Sequence, residues 1–191
     1  LHLSIRRQRQ MCIRDRGLDG SFDLMFAIGA HSMAGTPNGV LTHTLSHTGI
    51  DNIWLNGQLV GEIGLWAALG GQYDVPLALV TGDSAAVREA EALLGKIETV
   101  AVKEATSRFA AKCAHPQVTR KLIFDAAKKA VNRADEFSPY KPKTPIELKV
   151  EYHDSERAQN VSQRKDVTRT GGRTVSCRGD NILELYSTVL H

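Results

Sequence analysis

Three of the chain's seven histidines, His31, His43 and His47, fall between Ile28 and Gly64. The same stretch holds Glu62, set among glycines and aliphatics where solvation alone would not place a carboxylate. Imidazole and carboxylate are the ligand types that hold a hydrolytic divalent metal. The stretch therefore reads as half of a metal-hydrolase site, with the other half missing from the chain. Taken singly, each residue has a plainer reading: His31 as a loop histidine bonded to backbone, Glu62 as a first-turn helix glutamate. His43 and His47 are four apart and would share one face of a helix. No glutamate follows the first of them, so the H-E-x-x-H zinc helix is absent.

Other chemistries find less support. There is no G-x-S-x-G elbow, no G-x-x-x-x-G-K-[ST] phosphate loop, and no G-x-G-x-x-G after a strand. The T-G-D-S run at Thr81 to Ser84 is explained by a helix cap. Cys113 with His115 could form a thiolate pair, although a small buried thiol is the simpler reading. Lys103 and Arg108 follow a strand end and read equally as a carboxylate-binding pair or as a solvated one.

The elements that must position these groups alternate strand and helix. Phe22 to Ala30 reads as a buried, parallel strand whose carboxyl end carries His31, the end at which open α/β sheets build their sites. Val40 to Ser46 is ambiguous. Asn52 to Val60 reads as a hairpin turning at Asn56-Gly57. A helix follows to Gln72, with Glu62 in its first turn, where the helix dipole favours a carboxylate. Val75 to Val80 is a second buried strand. Asp83 caps a helix that runs to Leu94 and closes at Gly95. Glu98 to Lys103 is a third strand. Pro116 at N1 opens a helix to about Arg133, with Val118, Leu122, Ala126 and Ala130 on one stripe. This pattern predicts an α/β fold with a mainly parallel sheet and flanking helices over residues 17–134. The proline-rich segment Asp135 to Pro145 reads as a boundary. Residues 146–191 read as a small α+β region: a strand at Ile146, Leu148, Val150 and Tyr152, a short helix from Ser155, a strand pair, and a terminal helix capped by Asp180.

Composition narrows the class. The 191 residues suit one domain or one and a half. No apolar run approaches a membrane span. Three cysteines, an odd count with no close pair, argue against a disulfide framework and favour a reducing, cytoplasmic setting. Residues 1–16 carry five arginines and one aspartate, a net +4; with a chain total of +3, the other 175 residues carry −1. Cations gathered in one leading tail are no nucleic-acid footprint. That tail ends in M-C-I-R-D-R, which resembles translated sequencing-adapter read-through, and residues 1–16 are set aside as non-native.

The runs G-A-H-S-M-A-G-T-P-N-G-V-L-T-H-T, W-L-N-G-Q-L-V-G-E-I-G, Y-D-V-P-L-A-L-V-T-G-D and A-V-K-E-A-T-S-R-F-A-A-K-C together resemble the DppA-like zinc D-aminopeptidases of the dipeptide-transport operon. The resemblance is dense from Phe22 to Arg120 and looser beyond. It implies an enzyme that removes the N-terminal residue from short D-amino-acid peptides at a two-zinc centre, within a ring-shaped homo-oligomer, a decamer in the best-known case. It implies that His31 and Glu62 are zinc ligands and that His43 is catalytic. His47 matches no family site. The family's opening S-x-D-x-E-G strand, whose acids bind both metals, and its D-S-H type histidine have no counterpart; Ser21-Phe22-Asp23 begins like the former and then departs.

Two zinc ions about 3.5–4 Å apart need bridging ligands to offset their repulsion. His31 and Glu62 leave each metal roughly one protein ligand, against the three or four of a catalytic site. The sequence thus predicts a truncated chain with weak zinc binding, little or no peptidase activity, and an open sheet edge prone to aggregation. The rival reading is a non-catalytic oligomer-forming or binding module that keeps the fold.

Overall fold

The structure is a computed structural model that describes residues 17–190; the Arg-rich tail 1–16 lies outside the described residues. Among the described residues the chain forms two sheets. The first has the order β1 (Met25–Ala30), β4 (Leu77–Asp83), β5 (Glu98–Ser107), β6 (Ala110–Cys113). Its β1, β4 and β5 are parallel and β6 returns antiparallel. Helices cover both faces. Helix α1 (Glu62–Gln72) and α2 (Ser84–Leu94) enclose Ala30, Leu77, Val80 and Ala86 on one side. On the other, α3 (Pro116–Asn132) packs Ala126 and Ala130 onto Ala78, Leu79 and Val100. The predicted α/β class with a mostly parallel, helix-flanked sheet is the observed one.

The second sheet is antiparallel, ordered β3 (Gln58–Val60), β2 (Ile50–Leu55), β7 (Ile146–Tyr152), β9 (Thr174–Gly179), β8 (Val167–Arg169). The hairpin turns as the sequence requires: Asn56 and Gly57 both take positive φ, 50° and 81°, the pair a type I′ turn needs. The hairpin's β2 then pairs with β7, so the first part of the chain and the C-terminal region build one sheet between them. Along β7, buried and half-buried residues alternate, Ile146, Leu148, Val150 and Tyr152 facing inward. Helices α4 (Ser155–Val161) and α5 (Ile182–Leu190) close that core through Ala158, Val161, Ile182 and Val189.

Helix α1 lies between the two cores. Ile63 and Ala67 belong to the first, Leu65 and Ala68 to the second. A helix apolar on every side is one buried on every side. Its one charged residue is Glu62.

Several expectations need correction. β1 is parallel but not buried. It is the edge of its sheet among the described residues, with Phe26 and Ile28 36% and 57% exposed, because α3 does not extend across it. Only Ala126 and Ala130 of the expected α3 stripe are buried; Val118 and Leu122 face solvent, and Ile123 and Ala127 complete the packed line. β5 runs to Ser107, so Lys103 is a mid-strand residue paired with Asp83 and Cys113. Cys113 is exposed, while His115 caps α3 by accepting from Gln117 N–H at 3.3 Å. The terminal helix is capped by Asn181, whose Oδ1 accepts from Leu183 N–H at 2.9 Å, rather than by Asp180.

Candidate metal centre

His31 is the first residue after β1, at the carboxyl end of the parallel strands. Glu62 opens α1, and His43 stands in the irregular segment between β1 and β2. The fold brings the three together. His31 Nε2 lies 3.3 Å and His43 Nε2 3.7 Å from Glu62 Oε1. The rings stack, centroids 3.7 Å apart and 19° from parallel. One donor atom from each residue falls within 4.8 Å of the others. Val40 to Ser46 forms no helix, so the four-residue spacing of His43 and His47 has no helical meaning; His47 is exposed and lies outside the cluster.

The donor set fits a divalent metal. Each imidazole turns Nδ1 to a backbone carbonyl: His31 to Ser32 O at 3.2 Å, His43 to Leu41 O at 2.6 Å. A carbonyl oxygen only accepts, so the hydrogen-bond network assigns the proton to Nδ1 in both rings. That leaves the Nε2 lone pairs aimed at a carboxylate oxygen. Three acceptors converging on one point repel unless a cation lies among them, and an Nδ1–H held by a carbonyl is the usual support of a metal-binding histidine.

With no metal present, a second proton on His31 Nε2 takes the place of the cation and turns the contact with Glu62 into an ion pair. Burial pushes the pKa of Glu62 up, but the hydrogen bonds from His31 and the Leu45 N–H, with the charges of both histidines, outweigh it and hold the carboxyl below its ordinary range. His31 is raised, chiefly by its hydrogen bond to Glu62, with burial opposing. Glu62 is 5% exposed, whereas the His31 and His43 side chains are 23% and 30% exposed, so the cluster opens to solvent on the imidazole side.

The segment carrying His43 is held by tethers from every neighbouring element. Asp83 does two jobs: Oδ1 caps α2 through Ala86 N–H at 2.7 Å, and Oδ2 accepts from Val40 N–H at 2.6 Å. Glu89 on α2 accepts from Met33 N–H at 2.7 Å. Burial raises its pKa to about 7, against the lowering effect of the Met33 and Gly61 amides and of His31. Glu62 accepts from Leu45 N–H at 2.9 Å, and Thr44 Oγ1 from Ala34 N–H at 3.1 Å. Gly39 is a close approach: a Cβ there would meet Ser32 Oγ and stand 2.5 Å from Thr42 Cγ2. Leu41 and Leu45, two residues either side of His43, both take positive φ, 52° and 60°. For a leucine that conformation costs about 1–3 kcal/mol and persists only where surrounding contacts impose it. Asp83 was visible in the sequence only as a cap, and Glu89 carried no sequence signal beyond its place on a helix.

The comparisons point the same way. Residues 5–191 match the model of the family described as D-aminopeptidase. The D-aminopeptidase of Bacillus subtilis (strain 168) is 34% identical over 176 residues, 91% of this chain and 63% of the relative. The solved structure of the Zn-dependent D-aminopeptidase DppA from Bacillus subtilis, described as a self-compartmentalizing protease, superposes with a TM-score of 0.85 at 33% identity. It covers 91% of this chain and 63% of that one. The chain thus spans somewhat under two thirds of the length of the relatives it matches. A family match across nearly the whole sequence and a shared fold, around a cluster of two imidazoles and a carboxylate, establish that this chain belongs to the D-aminopeptidase family.

Proposed function

We propose that the chain is part of a zinc-dependent aminopeptidase that removes the N-terminal residue of short D-amino-acid peptides, and that it carries part of a two-zinc site. The observation that carries this reading is the convergence of His31, His43 and Glu62 within 4.8 Å, in a member of this family. His31 and Glu62 hold the metal. When bound, zinc acidifies a water and polarises the scissile carbonyl. Glu62, its pKa held below the ordinary carboxylate range, offers negative charge to the cation. His31 is fixed in one tautomer by Ser32 O, with Nε2 free to ligate.

His43 is the catalytic residue. Leu41 O holds its Nδ1–H and orients the ring, leaving Nε2 to take a proton from the attacking water and, once protonated, to donate to the developing oxyanion. On this reading the intact enzyme works in the cytoplasm as a ring of identical subunits; the self-compartmentalizing character of the solved relative supports the assembly.

Zinc titration of the purified chain, with turnover of D-Ala-D-Ala followed in parallel, tests the reading. Weak zinc binding that His31→Ala abolishes and His43→Ala preserves is the expected result. Two tightly held zinc ions with turnover would remove the partial-site claim. Zinc binding indifferent to His31→Ala would remove the metal centre altogether.

A further inference from the structure

The tip of the β5–β6 hairpin reaches the segment that carries His43. β5 is ten residues long and carries the turn past the carboxyl ends of its neighbours, to the edge where His31 emerges. There the main chain is locked: Leu41 N–H donates to Arg108 O at 2.8 Å. Leu41 is also the residue whose carbonyl holds His43 Nδ1. The Arg108 side chain turns to the same segment, its guanidinium donating to Thr42 O at 3.4 Å and lying 5.2 Å from the centre of the Phe109 ring. Thr42 precedes His43 in the chain. Arg108 is therefore tied to the neighbours of His43 by both backbone and side chain.

Its charge is unmatched. Among the described residues no carboxylate stands within ion-pair distance of Arg108, and its guanidinium spends one long hydrogen bond on a neutral carbonyl. Arg133 is paired with Glu98 and Glu136, Arg173 with Asp51 and Glu151, and Arg178 with Glu147, whereas Arg164 and Arg169, like Arg108, donate to backbone carbonyls. A guanidinium presents five donors in a planar fork that matches a carboxylate. An exposed guanidinium with donors to spare can receive an anion.

We infer that Arg108 is the specificity residue that receives the C-terminal carboxylate of a short peptide whose N-terminal end lies at the metal centre. The inference rests on the peptidase reading above for the identity of the ligand. It gives a physical reason for preferring very short peptides, since only in these does the free carboxylate fall within reach of both groups.

The test compares D-Ala-D-Ala with its C-terminal amide. Binding of each to the full chain is followed by NMR, through the Arg108 Nε–H resonance and the histidine ring signals. The acid should bind about tenfold tighter than the amide, the low end for a charge-assisted hydrogen bond at an accessible site. Arg108→Gln should bring the two to equal affinity, and Arg108→Lys, which keeps the charge and loses the fork, should restore part of the difference. A purely structural role at Thr42 would change melting temperature and leave the acid-to-amide ratio untouched. Equal or absent binding of both peptides by the parent chain, or an unchanged ratio in Arg108→Gln, overturns the proposal. Zinc titration of His31→Ala reads the peptidase hypothesis separately: zinc binding unchanged by that substitution sinks the peptidase reading, while discrimination for the acid that Arg108→Gln abolishes sustains Arg108 in either case. If Arg108→Gln fails to fold, the lysine variant decides alone, since an unchanged ratio with the fork removed contradicts bidentate capture.

Discussion

The two sheets are held together in different ways. The antiparallel sheet is closed over large side chains: Ile53, Leu55, Leu148, Tyr152 and Ile182 are essentially inaccessible. Its one large exposed hydrophobic is Leu59, on β3. The parallel sheet is packed largely with alanine, through Ala30, Ala67, Ala78, Ala86, Ala90, Ala126 and Ala130. It and its connections present Phe22, Phe26, Ile28, Leu41, Phe109, Val118, Leu122, Phe124 and Val131 to solvent. Scattered exposed apolar residues are ordinary, but this concentration on one half is not. One half of the molecule is organised for stability, and the half that holds the metal ligands is organised around surfaces it does not itself cover.

The sharpest way to break this comparison is to truncate the cores. Leu148→Ala should cost about 2–5 kcal/mol in urea denaturation, as expected for a fully buried leucine. A loss below 1 kcal/mol would mean that the antiparallel sheet is not the stabilising half. Next comes the metal. Glu62→Gln should weaken zinc binding by at least about 100-fold, beyond the usual effect of an outer-shell partner. Because the pKa of His31 is raised, protons compete with zinc at higher pH than at a free imidazole, so affinity should fall as the solution is acidified below neutrality. Zinc titration across pH checks both expectations.

Glu89 gives a smaller effect with a definite sign. A carboxyl raised from 4.5 to about 7 in the folded chain binds more protons folded than unfolded between those values. Its contribution is therefore complete below pH 4.5 and is lost as pH rises to about 7. Glu89→Gln, which can still accept from Met33 N–H, should stabilise by about 1–3 kcal/mol at pH 8 and by little at pH 4. Melting curves at the two pH values decide it. Smallest is the surface: Phe124→Ser should change folding stability by no more than about 0.5 kcal/mol, while light scattering should report less self-association. A large loss of stability there would mean that α3 is packed more deeply than its exposure indicates.

Much of this division was legible in the sequence, because local physics writes local signals. Asn56-Gly57 announced its hairpin, Asp83 and Gly95 bounded α2, and the alternation at Ile146, Leu148, Val150 and Tyr152 gave β7. His31, His43 and Glu62 were legible by residue type and by resemblance. What pairing partners and neighbours decide was not. Nothing near Ile50 says that β2 will join Tyr152 rather than the parallel sheet, and an apolar run such as Phe22 to Ala30 reads alike whether a helix covers it or not. The tethers from Glu89 and Asp83 to the loop amides were invisible for the same reason: they link residues 43 and 56 positions apart.

The placement of Glu62 on a helix wedged between the two cores has a practical meaning. Its carboxylate cannot be shifted without disturbing alanines on one flank and leucine on the other. Metal occupancy should then serve as a gauge of global integrity. Gentle heating or dilute denaturant ought to release zinc in the same transition that melts the distant antiparallel sheet, so that a metal-sensitive dye and the fluorescence of Trp54 on β2 trace one curve.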